Sequence, residues 1–194
     1  MNNKTFRFIN SLYVIMITNI MALIYLALGL FSFTLVPVIF SVIEVMNELL
    51  KGQVDGYSSL VKYFNTLMLK NMKIYKKEEL LTGAYSLTLV ISIVLLRKVN
   101  MPMATSINIL LMYIFSMISI YWSYYGVELL FSEKKNNYLN VLVLMFKKPK
   151  NLITVVLLFI SLISIGVAFK EVLVLFSFSL FALIFVKLNS KLAS

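Results

Sequence analysis

The stretch FSFTLVPVIFSVIEVMNELLKG, residues 31–52, decides how the first third of this chain meets a membrane. Ser11 to Phe33 is already long enough for one spanning helix, and the apolar run then continues through Leu35–Ile43. The chain must therefore turn. Ser32-Phe33-Thr34 followed by Pro37 reads as a helix start, with Thr34 as N-cap and the proline in the first turn, where its missing N–H would be unpaired anyway. Gly52 reads as the C-terminal stop. At 1.5 Å per residue, a helix over 35–51 is roughly 25 Å long, enough to cross most or all of a bilayer; a short or re-entrant insertion also fits.

The remainder of the chain extends this pattern. Of 194 residues, 61% are hydrophobic and only 13% charged, about half the usual share, which excludes a water-soluble domain. Five charge-free intervals, 8–43, 80–96, 99–127, 151–169 and 172–186, lie near or above the roughly 17–25 residues that span hydrocarbon. The expected architecture is all-α: a polytopic bundle of five to six inserted helices at about 11–33, 35–51, 79–96, 103–130, 151–169 and 172–188.

Two further segments have a different periodicity. Tyr57, Leu60, Val61, Phe64, Leu67, Met68, Met72 and Tyr75 recur at helical spacing, while Lys62, Asn65, Lys70, Lys73, Lys76 and Lys77 take the other side. This pattern predicts an amphipathic helix over 57–76 on the cytoplasmic membrane surface. A shorter copy over 137–147 ends in Lys147-Lys148-Pro149-Lys150. The two units look like a weak internal repeat, although any surface helix that precedes a span on the basic side would look similar.

The basic residues set the orientation. With two crossings in 11–51, one side holds Lys4, Arg7, the six lysines from 51 to 77, the five from 134 to 150, Lys187 and Lys191. The other holds Arg97, Lys98 and Lys170, a split of fifteen to three. A single crossing would move the amino terminus outside and give thirteen to five. The positive-inside rule favours the first arrangement, with both termini cytoplasmic in a bacterial plasma membrane. Asn100-Met101-Pro102 would start the third long helix on the outside, Phe169-Lys170-Glu171 would break the last hairpin, and Tyr121, Trp122, Tyr124 and Tyr125 would form an interfacial aromatic belt. The first apolar segment is too long for a signal peptide and has no small-residue cleavage pattern.

With no His and no Cys, the chain offers no thiol nucleophile, imidazole base, disulfide, or thiolate or imidazole metal site. No catalytic residue, metal or cofactor is expected, and the protein reads as non-enzymatic. The eight acids fall mainly at segment edges, where they look solvated. The net charge of +10 flanks apolar spans rather than forming a soluble basic face, so anionic headgroups, not nucleic acid, are the expected counter-charge. Lys62, Lys70, Lys73, Lys76, Lys77, Lys147, Lys148 and Lys150 are the candidate contacts for anionic lipid or a partner.

Within the deciding stretch, Ser41, Glu44, Glu48 and Lys51 fall at i, i+3, i+7 and i+10 and share one stripe. A carboxylate facing lipid at Glu44 would cost on the order of 2.5–3.5 kcal/mol, so it must face protein, water or a lysine. Glu44, Glu48 and Lys51 are therefore candidates for an ion, proton or partner contact. The ordinary alternative is a carboxylate held by Lys51 or by a lysine of the surface helix. Asn19, Asn108, Ser86, Thr88, Ser116 and Ser119 are expected to make interhelical hydrogen bonds.

The order of these parts resembles the YesL family of bacterial integral membrane proteins. The shared features are Gly29-Leu30-Phe31 closing a first span, Pro37 opening a second helix, the Gly52 stop, Lys62-Tyr63-Phe64 and Lys70-Asn71 on a basic aromatic helix, and four later spans. The chain departs from that family in having Pro37-Val38-Ile39 instead of Pro-Ala-Thr, and Glu44 and Glu48 where the family's second helix ends in basic residues. The resemblance implies an accessory role beside an ABC-type carbohydrate importer. The alternative class is a small oligomeric transporter or channel formed by self-association.

Overall fold

The computed structural model describes residues 3–29, 33–53, 57–98, 103–131, 138–147, 149–168 and 170–193, all helical or turn except Gln53, with no strand among them. Its helices are α1 (Asn3–Leu28), α2 (Leu35–Leu50), α3 (Tyr57–Ile74), α4 (Lys76–Lys98), α5 (Ala104–Phe131), α6 (Tyr138–Lys147), α7 (Pro149–Ala168) and α8 (Lys170–Ala193). Asn100-Met101-Pro102 and Phe169 lie outside the described residues. Among the described residues, three helices are long and apolar enough to cross a membrane: Thr5–Leu28, Lys76–Leu96 and Ala104–Phe131.

α1 stops at Leu28, not at Phe33, and Gly29 and Thr34 come together beyond its end. A Cβ on Gly29 would collide with the Thr34 side chain. Thr34 holds this turn differently from a cap: its hydroxyl donates to the Tyr25 carbonyl at 2.8 Å and makes no bond to the start of α2. At the other end, Gly52 takes φ +71. The Gly52 N–H donates to the Leu49 carbonyl and the Gln53 N–H to the Glu48 carbonyl, both at 3.0 Å, the paired bonds that close a helix with a left-handed glycine.

α2 is the centre of the fold, packing against α1, α3, α4, α5 and α8. Its buried residues, from Leu35 to Asn47, cover almost its whole circumference. α5 approaches closely at Gly126, where an added Cβ would lie 2.8 Å from Phe40 and 3.0 Å from Ile43. Tyr125 stacks on Phe40, Trp122 meets Phe40 edge-on, and Tyr124 meets Phe185 of α8 at 4.8 Å between ring centroids. The expected aromatic belt is thus part of the protein core, with Trp122, Tyr124 and Tyr125 all buried. An aromatic cluster satisfies either setting, and here Phe40 supplies the partner surface.

α3 lies across α1 and α2. Phe64 and Asn65 meet Tyr25, with the Tyr25 hydroxyl donating to Asn65 Oδ1 at 3.0 Å, and Tyr75 at the far end packs edge-on against Phe40. Leu60, Phe64, Leu67 and Met68 are buried against protein, so the apolar face expected on lipid is largely covered. Helical bonds from Tyr75 N to Asn71 O and from Glu79 N to Tyr75 O run through the junction, so α4 continues α3 with a break only at Tyr75.

Candidate functional site

The deciding stretch brings its stripe onto α3. Asn71, almost wholly buried, donates from Nδ2 to Ser41 Oγ at 3.1 Å and to Glu44 Oε1 at 3.3 Å. The Ser41 hydroxyl donates back to the Pro37 carbonyl at 2.7 Å. Lys70 Nζ stands 3.5 Å from Glu44 Oε2, and Lys51 Nζ stands 3.2 Å from Glu48 Oε1. Both carboxylates therefore have partners within the chain, and Glu44 is held by α3, not by Lys51. Lys70 is more than half exposed, so the ion pair contributes about 0–1 kcal/mol. The buried Asn71 bridge is the stronger element, since its loss would strand polar atoms away from water.

Beside this bridge, at the end of α2, Glu48, Gln53, Ser59, Leu60, Lys62, Tyr63 and Thr66 line a cleft of about 480 Å³. Burial pushes the Tyr63 phenol above its usual range, and the Glu48 and Glu44 carboxylates add to that. Lys62, Lys70, Lys73, Lys76 and Lys77 are exposed around the outer side of α3 and the first turn of α4, with exposed Leu69, Ile74, Leu80 and Leu81 among them. Lys147 is exposed at the end of α6; the side chains of Lys148 and Lys150 lie outside those described.

α4 carries a second arrangement that sequence reading missed. Its outward side chains are Leu80, Leu81, Tyr85, Val90, Ile91, Val94 and Leu95. Its protein-facing stripe, at i, i+3, i+7 and i+10, is Glu79, Thr82, Ser86 and Leu89, with Glu79 only 8% exposed and Ser86 0%. The Ser86 hydroxyl has no hydrogen-bond partner, and no described residue makes a hydrogen bond or ion pair with the Glu79 carboxylate. The only signal in the sequence is the i, i+3, i+7 spacing of three polar residues in an apolar segment.

The other polar groups of the three long apolar helices divide in three ways. Asn19 Oδ1 accepts from the backbone N–H groups of Phe178 at 2.7 Å and Ser179 at 3.1 Å, an interhelical contact. Thr88 and Ser119 instead turn back to carbonyls of their own helices. Asn108 Oδ1 has no partner among the described residues. No family model matches this chain, and no curated protein or solved structure is significantly similar to it.

Proposed function

We propose that this chain is a multi-pass protein of the bacterial plasma membrane with six inserted helices, α2 being short, both termini cytoplasmic, and α3 and α6 on the basic side. The observation that carries insertion is the inverted pattern of α4, whose apolar side chains face outward while Glu79, Thr82 and Ser86 face the bundle. In water that arrangement would expose seven large apolar side chains on one helix; against lipid tails it costs nothing. The fifteen-to-three lysine and arginine split supports the orientation. The test is accessibility labelling of single cysteines in intact cells. Labelling near Lys4 that spares a site near Ser194 would replace this topology with the single-crossing alternative.

Within that frame the protein is a non-enzymatic accessory that packs against another membrane complex. The resemblance to the YesL family points to an ABC-type carbohydrate importer as that complex. The lysines of α3 and α4 and Lys147 face anionic headgroups or the partner, each contributing about 1 kcal/mol near an anionic leaflet. Purification in mild detergent after crosslinking in native membranes should recover importer subunits; repeated recovery of the chain alone counts against the accessory role. The second reading, a small self-associating transporter, is favoured by one observation, the buried polar stripe of α4, and is tested by solute flux in liposomes.

A further inference from the structure

We infer that Glu79 binds a monovalent cation, either a proton or an alkali ion, inside the helical bundle. This rests on α4 being a membrane span, and it begins from an imbalance of charge. An ionised carboxylate taken out of water without a partner costs several kcal/mol, so a buried carboxylate is paired, protonated or bound to a cation. Glu79 is 8% exposed and has no pairing group among the described residues.

Among the described residues, the surrounding elements offer it no base. α2 carries no basic residue between Leu35 and Leu50, and Lys51, which caps its end, is held by Glu48 3.2 Å away. α5 carries none between Ala104 and Phe131; its titratable groups are phenols, including Tyr121 and Tyr125, and the carboxylate Glu128. On α3, Lys70 is committed to Glu44 at 3.5 Å and Lys73 is exposed. Lys76 and Lys77, on the first turn of α4 itself, are exposed as well, and the nearby charges at Glu78 and Glu44 are negative. The buried Thr82, one turn further along the same stripe, is an oxygen donor; the unpartnered Ser86 hydroxyl lies about 10 Å along the axis from Glu79, outside the reach of a shared ion. One carboxylate with one neutral hydroxyl suits a singly charged ion. Divalent calcium or magnesium needs a fuller set of oxygen ligands and carries twice the charge.

The test uses the full chain in detergent, with thermal unfolding of wild type, Glu79→Gln and Glu44→Gln. In one arm pH is varied between about 5 and 8 at fixed salt. In the other, sodium or potassium replaces a bulky organic cation at fixed pH and ionic strength. A proton site raises the wild-type melting temperature on acidification, up to tenfold in the folding equilibrium per pH unit, with no response to alkali ion. An alkali site gives a saturable rise with sodium or potassium instead. In either case Glu79→Gln is unresponsive and Glu44→Gln responds as wild type does.

Coincident wild-type and Glu79→Gln profiles in both arms would overturn the inference. If Glu79→Gln does not fold, infrared spectra of the wild type decide. A protonated carboxyl band at neutral pH, or a carboxylate band that moves with sodium, supports the site; neither band refutes it. Alkaline extraction of membranes reads insertion separately, so a membrane-embedded protein without a cation response fails this inference alone.

Discussion

Phe64→Ala separates a helix packed on protein from one laid on lipid. Phe64 is fully buried, its ring 6.0 Å from that of Tyr25, with Leu60, Leu67 and Met68 on the same covered face of α3. Removal of a buried phenylalanine ring costs about 3–5 kcal/mol, part transfer free energy and part cavity. At about 1.4 kcal/mol per tenfold, that shifts the unfolding equilibrium by roughly two to nearly four orders of magnitude. Were the face of α3 on lipid, the same truncation would leave the bundle nearly as stable, within the roughly 0.5 kcal/mol typical of surface changes.

The control is Leu69→Ala, on the opposite side of the same helix and 57% exposed. Both variants are compared with wild type by denaturant titration in one detergent, following near-ultraviolet circular dichroism of the aromatic core. The expected order is a large loss for Phe64→Ala and almost none for Leu69→Ala. Equal midpoints for the two variants would refute the packing of α3 across α1 and α2, and with it the assignment of Glu44 to Lys70 and Asn71.

Three further outcomes follow from the same geometry. Gly126→Ala places a methyl 2.8 Å from Phe40 and should destabilise by about 1–3 kcal/mol, despite alanine's better helix propensity, as read by thermal unfolding. Asn71→Ala should cost about 1–3 kcal/mol while Lys70→Ala costs under about 1 kcal/mol, because only Asn71 is buried; a double-mutant cycle with Glu44→Gln measures each coupling. Burial, then Tyr125 and the Glu44 and Glu78 carboxylates, push the Tyr75 phenol up to about 12. The folded state keeps a proton that the unfolded chain releases above about pH 10, so this stability is full below that pH and is lost as pH rises through about 12. Alkaline denaturation followed by tyrosinate absorbance should therefore be shallower in Tyr75→Phe.

Much of the helical layout is legible because helix periodicity, Gly52 and Pro37 are local signals. Gly52 does adopt the left-handed conformation that closes α2, and the amphipathic pattern of 57–76 does form α3. What covers an apolar face is not a local signal. Leucine and phenylalanine spaced for lipid are spaced equally well for a neighbouring helix, so the sequence could not separate a surface helix from one packed on α1 and α2. Trp122, Tyr124 and Tyr125 illustrate the same ambiguity: an aromatic cluster near a helix end suits a headgroup layer, but Phe40 and Phe185 enclose it. Thr34 was readable as a helix-start residue, yet its hydroxyl reaches Tyr25 because Gly29 lets the two helices meet at that point.

The candidate site divides along the same physical line. Glu44 and its lysine partner could be anticipated because a carboxylate well inside an apolar run requires a counter-charge, and α3 carries the nearest supply of lysines. Glu79 could not. It follows Lys76, Lys77 and Glu78, a run that reads as solvated. Its burial arises from the continuation of α3 into α4 through Tyr75: with Asn71 fixed to Ser41 and Tyr75 fixed to Phe40, the next helical position on that face, four residues beyond Tyr75, is Glu79. The contacts that neutralise Glu44 thus also carry Glu79 inward. Loosening that register by Asn71→Ala should expose the Glu79 carboxyl to solvent and weaken any cation response. A response undiminished in Asn71→Ala would show that Glu79 is positioned by α2 and α5 without help from α3.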